Sequence, residues 1–224
     1  RSDPSKGGVS SALGDIGSHW CDLAEHMSGL RISSVLADLT TVIPVRYSAG
    51  ASGEAFSTVS GGERKPVEVH AEDLASVLLR FENGAKGSFS VGQVLPGHKN
   101  DLELELNGRT QSLKWKQERQ NELWIGHHDR PNEMMAKDPS LVSPEALRYV
   151  HLPGGHQESW ADAFLNLLRD AYGWIREGAQ PGAKPAMLPT FEDGYRSTCI
   201  VEAMLRSHAG GGVWEKVQYE AGTK

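Results

Sequence analysis

The sequence lacks several features that would place a protein in a particular class. Only two of its 224 residues are cysteines, Cys21 and Cys199, which are too few for a disulfide framework and indicate free thiols in a reducing compartment. No apolar run approaches the roughly 18 residues of a transmembrane helix, and the first residues contain no apolar signal region. The net charge of −6 argues against a nucleic-acid or anionic-membrane surface. We therefore expect a cytoplasmic protein that binds neither nucleic acid nor membranes.

A dinucleotide-binding motif is also missing. No G-x-G-x-x-G follows a strand pattern, and the glycines at Gly210–Gly212 have neither the spacing nor the setting of one. Residues 1–12 are polar and rich in glycine and serine, which is typical of a linker between domains. We expect residues 13–224 to form the folded domain, since this length allows a substantial buried core.

Hydrophobic periodicity predicts an α+β fold, in which an open-faced, mainly antiparallel sheet has helices packed on one face. Asn83-Gly84 is a type I′ hairpin signal, and residues 48–64, rich in glycine and serine, are expected to form a mobile loop. The predicted helices are 13–28, 157–177 and 190–208, and the predicted strands are 35–45, 74–81, 85–95, 101–106, 113–115, 123–125 and 213–219. The second helix is expected to bury the apolar set Trp160, Phe164, Leu167, Ala171 and Trp174.

The first helix carries two neighbouring stripes. Glycines at Gly14 and Gly17 keep its first turn free of bulk, which suits a place where another group approaches the backbone. One stripe is apolar and is expected to face the core: Ile16, Trp20, Leu23 and Met27. The other is polar and lies about 100° round the helix: Asp15, His19, Asp22 and His26.

Several stretches carry a family resemblance. The run S-A-L-G-D-I-G-S-H-W-C-D-L-A at residues 11–24 contains a D-x-G-x-H-x-x-D pattern. This pattern resembles the start of the C-terminal domain in the glucose–fructose oxidoreductase and inositol dehydrogenase family (Gfo/Idh/MocA). The similarity continues through residues 79–85, 131–133, 156–169, 189–194 and 212–214, so it covers most of the chain in the right order.

The resemblance implies a C-terminal domain with the open-faced sheet of the glyceraldehyde-3-phosphate-dehydrogenase type. Members of the family begin with a Rossmann domain that binds NAD or NADP, and they carry a catalytic lysine in an E-K-P motif there. The run Glu63-Arg64-Lys65-Pro66 has one residue too many and lies after the Asp-His motif. We therefore expect this chain to be the C-terminal half of a longer NAD(P)-dependent oxidoreductase and to be inactive alone.

A general base is needed to oxidise a secondary alcohol, because the hydroxyl proton must leave while the nicotinamide takes the hydride. An imidazole suits this role, since its ordinary pKa of about 6.5 lies near the working pH. His19 lies one helical turn after Asp15, whose carboxylate can orient the ring. The resemblance implies that His19 is the proton acceptor, that Asp15 is its partner, and that the substrate is a sugar, inositol or related polyol.

Three further residues are substrate-binding candidates. His156 follows a flexible turn before a predicted helix, where family members often place a substrate contact. Gln93, near a strand end, can hydrogen-bond a sugar hydroxyl, and Trp20 can stack on a pyranose ring. Gln93 and Trp20 also have structural interpretations, as a strand-end amide facing water and a core tryptophan respectively. His127 and His128 are expected on the surface.

Two alternatives remain open. The polar stripe offers metal ligands, but its first and last members are about 16 Å apart along the axis, too far to share one ion. Neighbouring pairs of the stripe could bind zinc together with other ligands, and this is the alternative to our prediction of no metal site. In the other alternative, the domain is a noncatalytic carbohydrate-binding or oligomerisation module of the same fold. Asp22 is expected to tie down a neighbouring loop, and His26 to interact with the helix dipole.

The open sheet face predicts self-association. The strand at residues 101–106 alternates strictly and presents Asp101, Glu103 and Glu105 on one side. The returning strand presents Lys114 and Lys116, so oppositely charged residues face each other across the pair. A twofold partner can present the same surface, and the resemblance implies association through this sheet. We expect a homodimer formed sheet to sheet.

Overall fold

The structure, a computed structural model, describes residues 8–47, 65–178 and 187–219. A π-helical turn, Leu13–Gly17, leads into the first α-helix. The helices are α1 (Ser18–Ser28), α2 (Pro144–Leu147), α3 (Trp160–Arg176) and α4 (Phe191–Ala209). The strands are β1 (Ile32–Thr40), β2 (Val45–Tyr47), β3 (Pro66–Glu68), β4 (Leu74–Phe81), β5 (Lys86–Gly92), β6 (Glu103–Asn107), β7 (Gln111–Lys116), β8 (Glu122–His127), β9 (Glu133–Ala136) and β10 (Glu215–Lys216). None of the described helices is both long and apolar enough to cross a bilayer.

The chain divides into two units, residues 1–96 with 194–224, and residues 97–193. All described strand pairs are antiparallel, which confirms the predicted α+β class. The strands form two four-stranded sheets, ordered β10-β1-β4-β5 and β6-β7-β8-β9, and a ribbon of β2 with β3. The division into a linker over 1–12 and one domain over 13–224 stays a prediction, and residues 1–7 lie outside the described part.

The first unit packs helices on one face of its sheet, as predicted. Alternate residues of β1 and β4 point to this face and lie opposite each other, for example Val35 with Leu79 and Ala37 with Val77. α4 covers them with Ile200 and with further side chains that are fully or almost fully buried, namely Val201, Ala203 and Met204. The opposite positions of β4 are exposed. This face of the sheet therefore stays open within the unit.

The most buried face of α1 lies one residue from the predicted stripe, of which Trp20 packs against the core as expected. The positions that face the core are Leu13, Gly17, Cys21 and Ala24, whereas Met27 is exposed. A Cβ on Gly17 would lie 3.1 Å from the Leu13 side chain and 3.6 Å from Phe89, so the helix turns its small residues towards the sheet. The helix ends at Gly29, which has a φ of +68° and confirms the predicted C-terminal stop.

The β4–β5 hairpin forms where predicted, but its turn type differs. The Gly84 amide donates to the Phe81 carbonyl at 3.0 Å, and the Phe81 amide donates to the Ala85 carbonyl at 2.9 Å. Glu82 and Asn83 are therefore the central turn residues, and Gly84 follows at a φ of +88°. This is the pattern of a three-residue loop with a glycine bulge, and the predicted type I′ turn at Asn83-Gly84 is wrong.

The second unit contains the predicted meander and one strand that the periodicity missed. β9 pairs with β8, within a segment expected to be irregular. Helix α3 lies within its predicted range, but Trp160, Phe164 and Leu167 are exposed rather than buried. Polar side chains contact the 148–151 segment instead: Asn166 donates to the Tyr149 carbonyl, and Asp170 accepts from the Tyr149 hydroxyl.

Charged residues on β6 and β7 pair as predicted. Glu103 lies opposite Lys116, and Glu105 opposite Lys114. Lys114 forms ion pairs with both glutamates. Burial alone raises the pKa of Glu103, but Lys114 and Lys116 outweigh it and hold that pKa below its ordinary value. The loop predicted at residues 48–64 lies outside the described residues.

Candidate functional site

A distant carboxylate caps the helix that carries Asp15 and His19. Glu72 is almost completely buried, and its Oε1 accepts hydrogen bonds from the Leu13 amide at 2.8 Å, the Ser11 amide at 2.9 Å and the Ser10 hydroxyl at 2.8 Å. The amide of Ala12 also donates to the Glu72 carbonyl at 3.0 Å. A negative charge at a helix N-terminus is favourable, and here it satisfies donors that the helix leaves unpaired. No local sequence pattern could reveal this contact, because Glu72 lies 59 residues after Leu13.

Asp15 belongs to a short polar chain at the start of this helix. The Ser11 hydroxyl donates to Gln93 Oε1 at 2.9 Å, and Gln93 Nε2 donates to Asp15 Oδ2 at 3.1 Å. Gln93 follows the last residue of β5, and its backbone amide donates to the Asp73 carbonyl at 2.8 Å. Two of the sequence-predicted site residues, Asp15 and Gln93, are therefore in direct contact.

His19 is exposed on the first turn of α1. Asp15 lies four residues earlier, inside the π-helical turn, where the Ser18 amide donates to the Leu13 carbonyl. Within the described part of the chain, no side chain forms a hydrogen bond with the His19 ring. The described residues show no hydrogen bond or ion pair between His19 and Asp15, which are related only by their spacing of one helical turn. An accessible imidazole can accept a proton from a ligand hydroxyl.

Trp20 packs against the sheet. Its ring stacks on Phe89 with the centroids 4.7 Å apart, and it is half-buried beside the core. One face of the indole is thus occupied by protein, which agrees with the structural interpretation. Its use as a platform for a sugar ring stays a prediction.

His156 lies in the second unit, exposed in the loop before α3. Its amide donates to the Pro153 carbonyl at 3.1 Å, and Gly155 has a φ of +80°, so a tight turn presents the imidazole. The other candidates all belong to the first unit. Its role in the site stays a prediction.

Glu158 anchors the loop that carries His156. Its carboxylate accepts from Lys137 Nζ at 2.5 Å and from the amides of His151 at 2.6 Å and Leu152 at 3.3 Å. Burial alone raises the pKa of Glu158, but the Lys137 ammonium and the two amides more than offset it, so the pKa lies below its ordinary value. Neither Glu158 nor Lys137 lies in a sequence pattern that marks it as a functional candidate.

Asp73 is fully buried and supports the same region as Glu72. It accepts from the amides of Val42 at 2.7 Å and Ile43 at 3.0 Å, and from Arg46 at 3.1 Å. Burial raises the pKa of its carboxyl, but these amides and the guanidinium lower it by more, so Asp73 titrates below its ordinary range. The Glu72-Asp73 pair thus fixes both the helix start and the segment after β1.

The other histidines that the sequence pattern singled out differ in exposure. His26 is exposed in the last turn of α1, where the expectation placed it. His128 is exposed as predicted, but the side chain of His127 is only 5% exposed, so its surface assignment is wrong. The reason is the hairpin with β9, which brings Glu133 Oε1 to 3.1 Å from His127 Nε2.

The described residues contain neither a cluster of metal ligands nor a parallel strand pair. Among them, no three His, Cys, Asp or Glu side chains gather closely enough to hold an ion. The described sheets also contain no parallel strand pair, and the pyrophosphate of NAD(P) is normally held at the helix N-terminus of a parallel β-α-β unit. The described part of this chain therefore offers no such cradle for the cofactor that the resemblance implies.

A protein-family model and a curated dehydrogenase both match this chain. Residues 1–114 match the family model described as the GFO/IDH/MocA C-terminal domain. Levoglucosan dehydrogenase from Pseudarthrobacter phenanthrenivorans is 29% identical over 209 residues, which cover 89% of this chain and 50% of that protein. The chain spans about half the length of the curated relatives it matches.

Solved structures of oxidoreductases resemble this chain over about half of their own length. An oxidoreductase domain protein from Kribbella flavida matches with a TM-score of 0.77 and 28% identity, over 97% of this chain and 54% of that chain. A levoglucosan dehydrogenase in complex with NADH and L-sorbose matches with a TM-score of 0.73 and 27% identity, over 93% of this chain and 50% of that chain. The family match spans half of the sequence and includes the D-x-G-x-H pattern around His19, and this chain therefore belongs to the GFO/IDH/MocA family through its C-terminal domain.

Proposed function

We propose that the full-length protein is an NAD(P)-dependent oxidoreductase that oxidises or reduces a sugar, inositol or related polyol at a secondary alcohol or ketone. Residues 13–224 are its substrate-binding and catalytic C-terminal domain in this proposal. The observation that carries it is the Asp15 carboxylate, held by Gln93 at 3.1 Å one turn before the exposed His19. A general base and an orienting carboxylate are what the chemistry requires of this domain.

In this proposal Asp15 and His19 have different roles. His19 accepts the proton of the substrate hydroxyl, and Asp15 stabilises the positive charge that the imidazole gains. NAD(P) would supply the acceptor for the hydride that leaves the hydroxyl-bearing carbon, and we assign its binding to a part of the protein outside the described residues. In the reverse direction, His19 returns its proton to the carbonyl oxygen.

A sugar or polyol is the substrate class that the relatives favour. The similar proteins include a levoglucosan dehydrogenase, one structure of which contains NADH and L-sorbose. Trp20 and His156 remain candidate substrate contacts. Both cysteines are free thiols, which supports a reducing, cytoplasmic setting.

Steady-state kinetics of the full-length protein test this function. The assay follows NADH or NADPH formation with a panel of monosaccharides, anhydrosugars and cyclitols. We expect His19→Ala to lower kcat by about 10²–10⁴-fold, the usual contribution of a positioned base. Asp15→Asn has a smaller effect and changes the pH profile, because the imidazole loses its carboxylate partner.

His26→Ala is the matched control. His26 is exposed on the same helix, seven residues after His19, and lies in the last turn. Its replacement should leave kcat unchanged. Wild-type turnover in His19→Ala, or no oxidation of any sugar or cyclitol by the wild-type protein, would contradict the proposed function.

A further inference from the structure

We propose that Gln93 is a positioning residue, whose amide holds the Asp15 carboxylate for His19 and therefore acts through Asp15 rather than on the substrate. This inference rests on the proposed function, because it takes Asp15 and His19 as the reacting pair. It gives Gln93 a role different from the substrate contact expected from its place at a strand end.

Both ends of the Gln93 amide have protein partners. Its carbonyl oxygen accepts the Ser11 hydroxyl at 2.9 Å, and its nitrogen donates to Asp15 Oδ2 at 3.1 Å. The contact at the carbonyl end orients the amide so that its donor side faces the carboxylate. A glutamate in this place would turn a second negative charge towards Asp15, so the site calls for an amide.

Backbone amides on both sides of this contact donate hydrogen bonds to the Glu72-Asp73 dipeptide. The Gln93 amide donates to the Asp73 carbonyl, while the Ser11 amide donates to the carboxylate of the adjacent Glu72. Both of these acids are buried. These two hydrogen bonds fix the position of the strand end relative to the helix start. Backbone contacts therefore support the Gln93–Asp15 hydrogen bond, although its side chains reach solvent.

A held carboxylate serves the proposed chemistry in two ways. The Gln93 donor holds Oδ2 of Asp15, the carboxylate that is proposed to stabilise the imidazolium. It also restricts the rotamers of the carboxylate, so less ordering is needed when the substrate binds. Neither effect requires Gln93 to touch the substrate.

Gln93→Leu in the full-length protein tests the inference. We expect kcat to fall by about 10- to 100-fold, the cost of a misplaced catalytic group, while KM stays within roughly twofold. In an Asp15→Asn background the same substitution should have no further effect, because residues that act through one contact are not additive. Ser90→Ala, an exposed position on β5, is the matched control and should change neither kcat nor KM.

Gln93→Glu adds a test by pH. It keeps the side-chain length and an acceptor for Ser11, but places a negative charge against Asp15. The acid limb of the kcat profile should move to higher pH, because additional negative charge favours the protonated imidazole. An unmoved acid limb would contradict the coupling of position 93 and Asp15 to His19.

The results that would overturn the inference are distinct. A raised KM with unchanged kcat in Gln93→Leu would mean that Gln93 contacts the substrate directly, and multiplicative effects with Asp15→Asn would mean that the two act separately. A crystal structure of the Gln93→Leu protein reports the Asp15 position independently of turnover. An unmoved Asp15 there overturns the inference even if His19→Ala is inactive. A displaced Asp15 supports the positioning of this carboxylate by Gln93. If His19→Ala is fully active as well, the proposed function fails, although Gln93 still holds Asp15.

Discussion

The helix that carries the candidate pair depends on a single buried carboxylate, and its removal should destabilise the protein measurably. Glu72→Ala removes the acceptor of three hydrogen bonds on Oε1. Bonds to a charged group contribute about 1.5–3 kcal/mol each, but the Ser10 and Ser11 donors are partly exposed and can turn to water. The Leu13 amide is buried, and leaving it unsatisfied costs about 1–3 kcal/mol. We expect a total loss of about 3 kcal/mol in the free energy of unfolding.

Two further variants test the reasoning behind this value. Glu72→Gln keeps an oxygen acceptor but loses the charge at the helix N-terminus, so we expect a smaller loss of about 1 kcal/mol. Glu68→Ala, an exposed residue on β3, should change stability by less than about 0.5 kcal/mol. A loss of stability that is largest in Glu72→Ala, smaller in Glu72→Gln and smallest in Glu68→Ala is the result expected of a charged helix cap.

Urea denaturation measures the global change, and amide hydrogen exchange locates it. The exchange of the Ser11 and Leu13 amides should accelerate in Glu72→Ala, since these groups lose their acceptor. A Glu72→Ala protein within about 0.5 kcal/mol of the wild type, or unchanged exchange at Leu13, would refute the argument.

Two predictions concern the second unit. The ionised Glu158 stabilises the 151–158 loop above the ordinary carboxyl pKa, and this stability is lost as the pH falls through the depressed pKa of Glu158. Lys137→Met removes the ion pair and raises that pKa, so hydrogen exchange of the loop should accelerate at a higher pH than in the wild type. Identical pH profiles of exchange in the two proteins would contradict the ion pair. We also propose that the paired charges on β6 and β7 face a second copy of the chain, so light scattering should give the mass of a dimer, and the mass of a single chain at tens of micromolar protein would exclude it.

Local patterns were sufficient for most elements. The strict alternation at residues 101–106 and the glycines after residues 28 and 209 placed β6 and the ends of α1 and α4 correctly, because these signals depend only on neighbouring residues. β9 was missed because its four residues, Glu133–Ala136, show no clean alternation and are strand only through pairing with β8. The turn at Glu82 and Asn83 was shifted for a related reason, since Gly84 suits both a type I′ turn and a glycine bulge.

The sequence by itself determined the α+β class, the family motif and the identity of Asp15 and His19 as candidates, since all of these are properties of spacing along one chain. Only the tertiary structure decided which face of α1 is buried, because Gly17 and Cys21 become core residues when Phe89 and its neighbours lie against them. It also decided what holds the candidate residues. Glu72 reaches the helix start from 59 residues away, and Gln93 reaches Asp15 from 78, and contacts at such separations leave no local pattern to read.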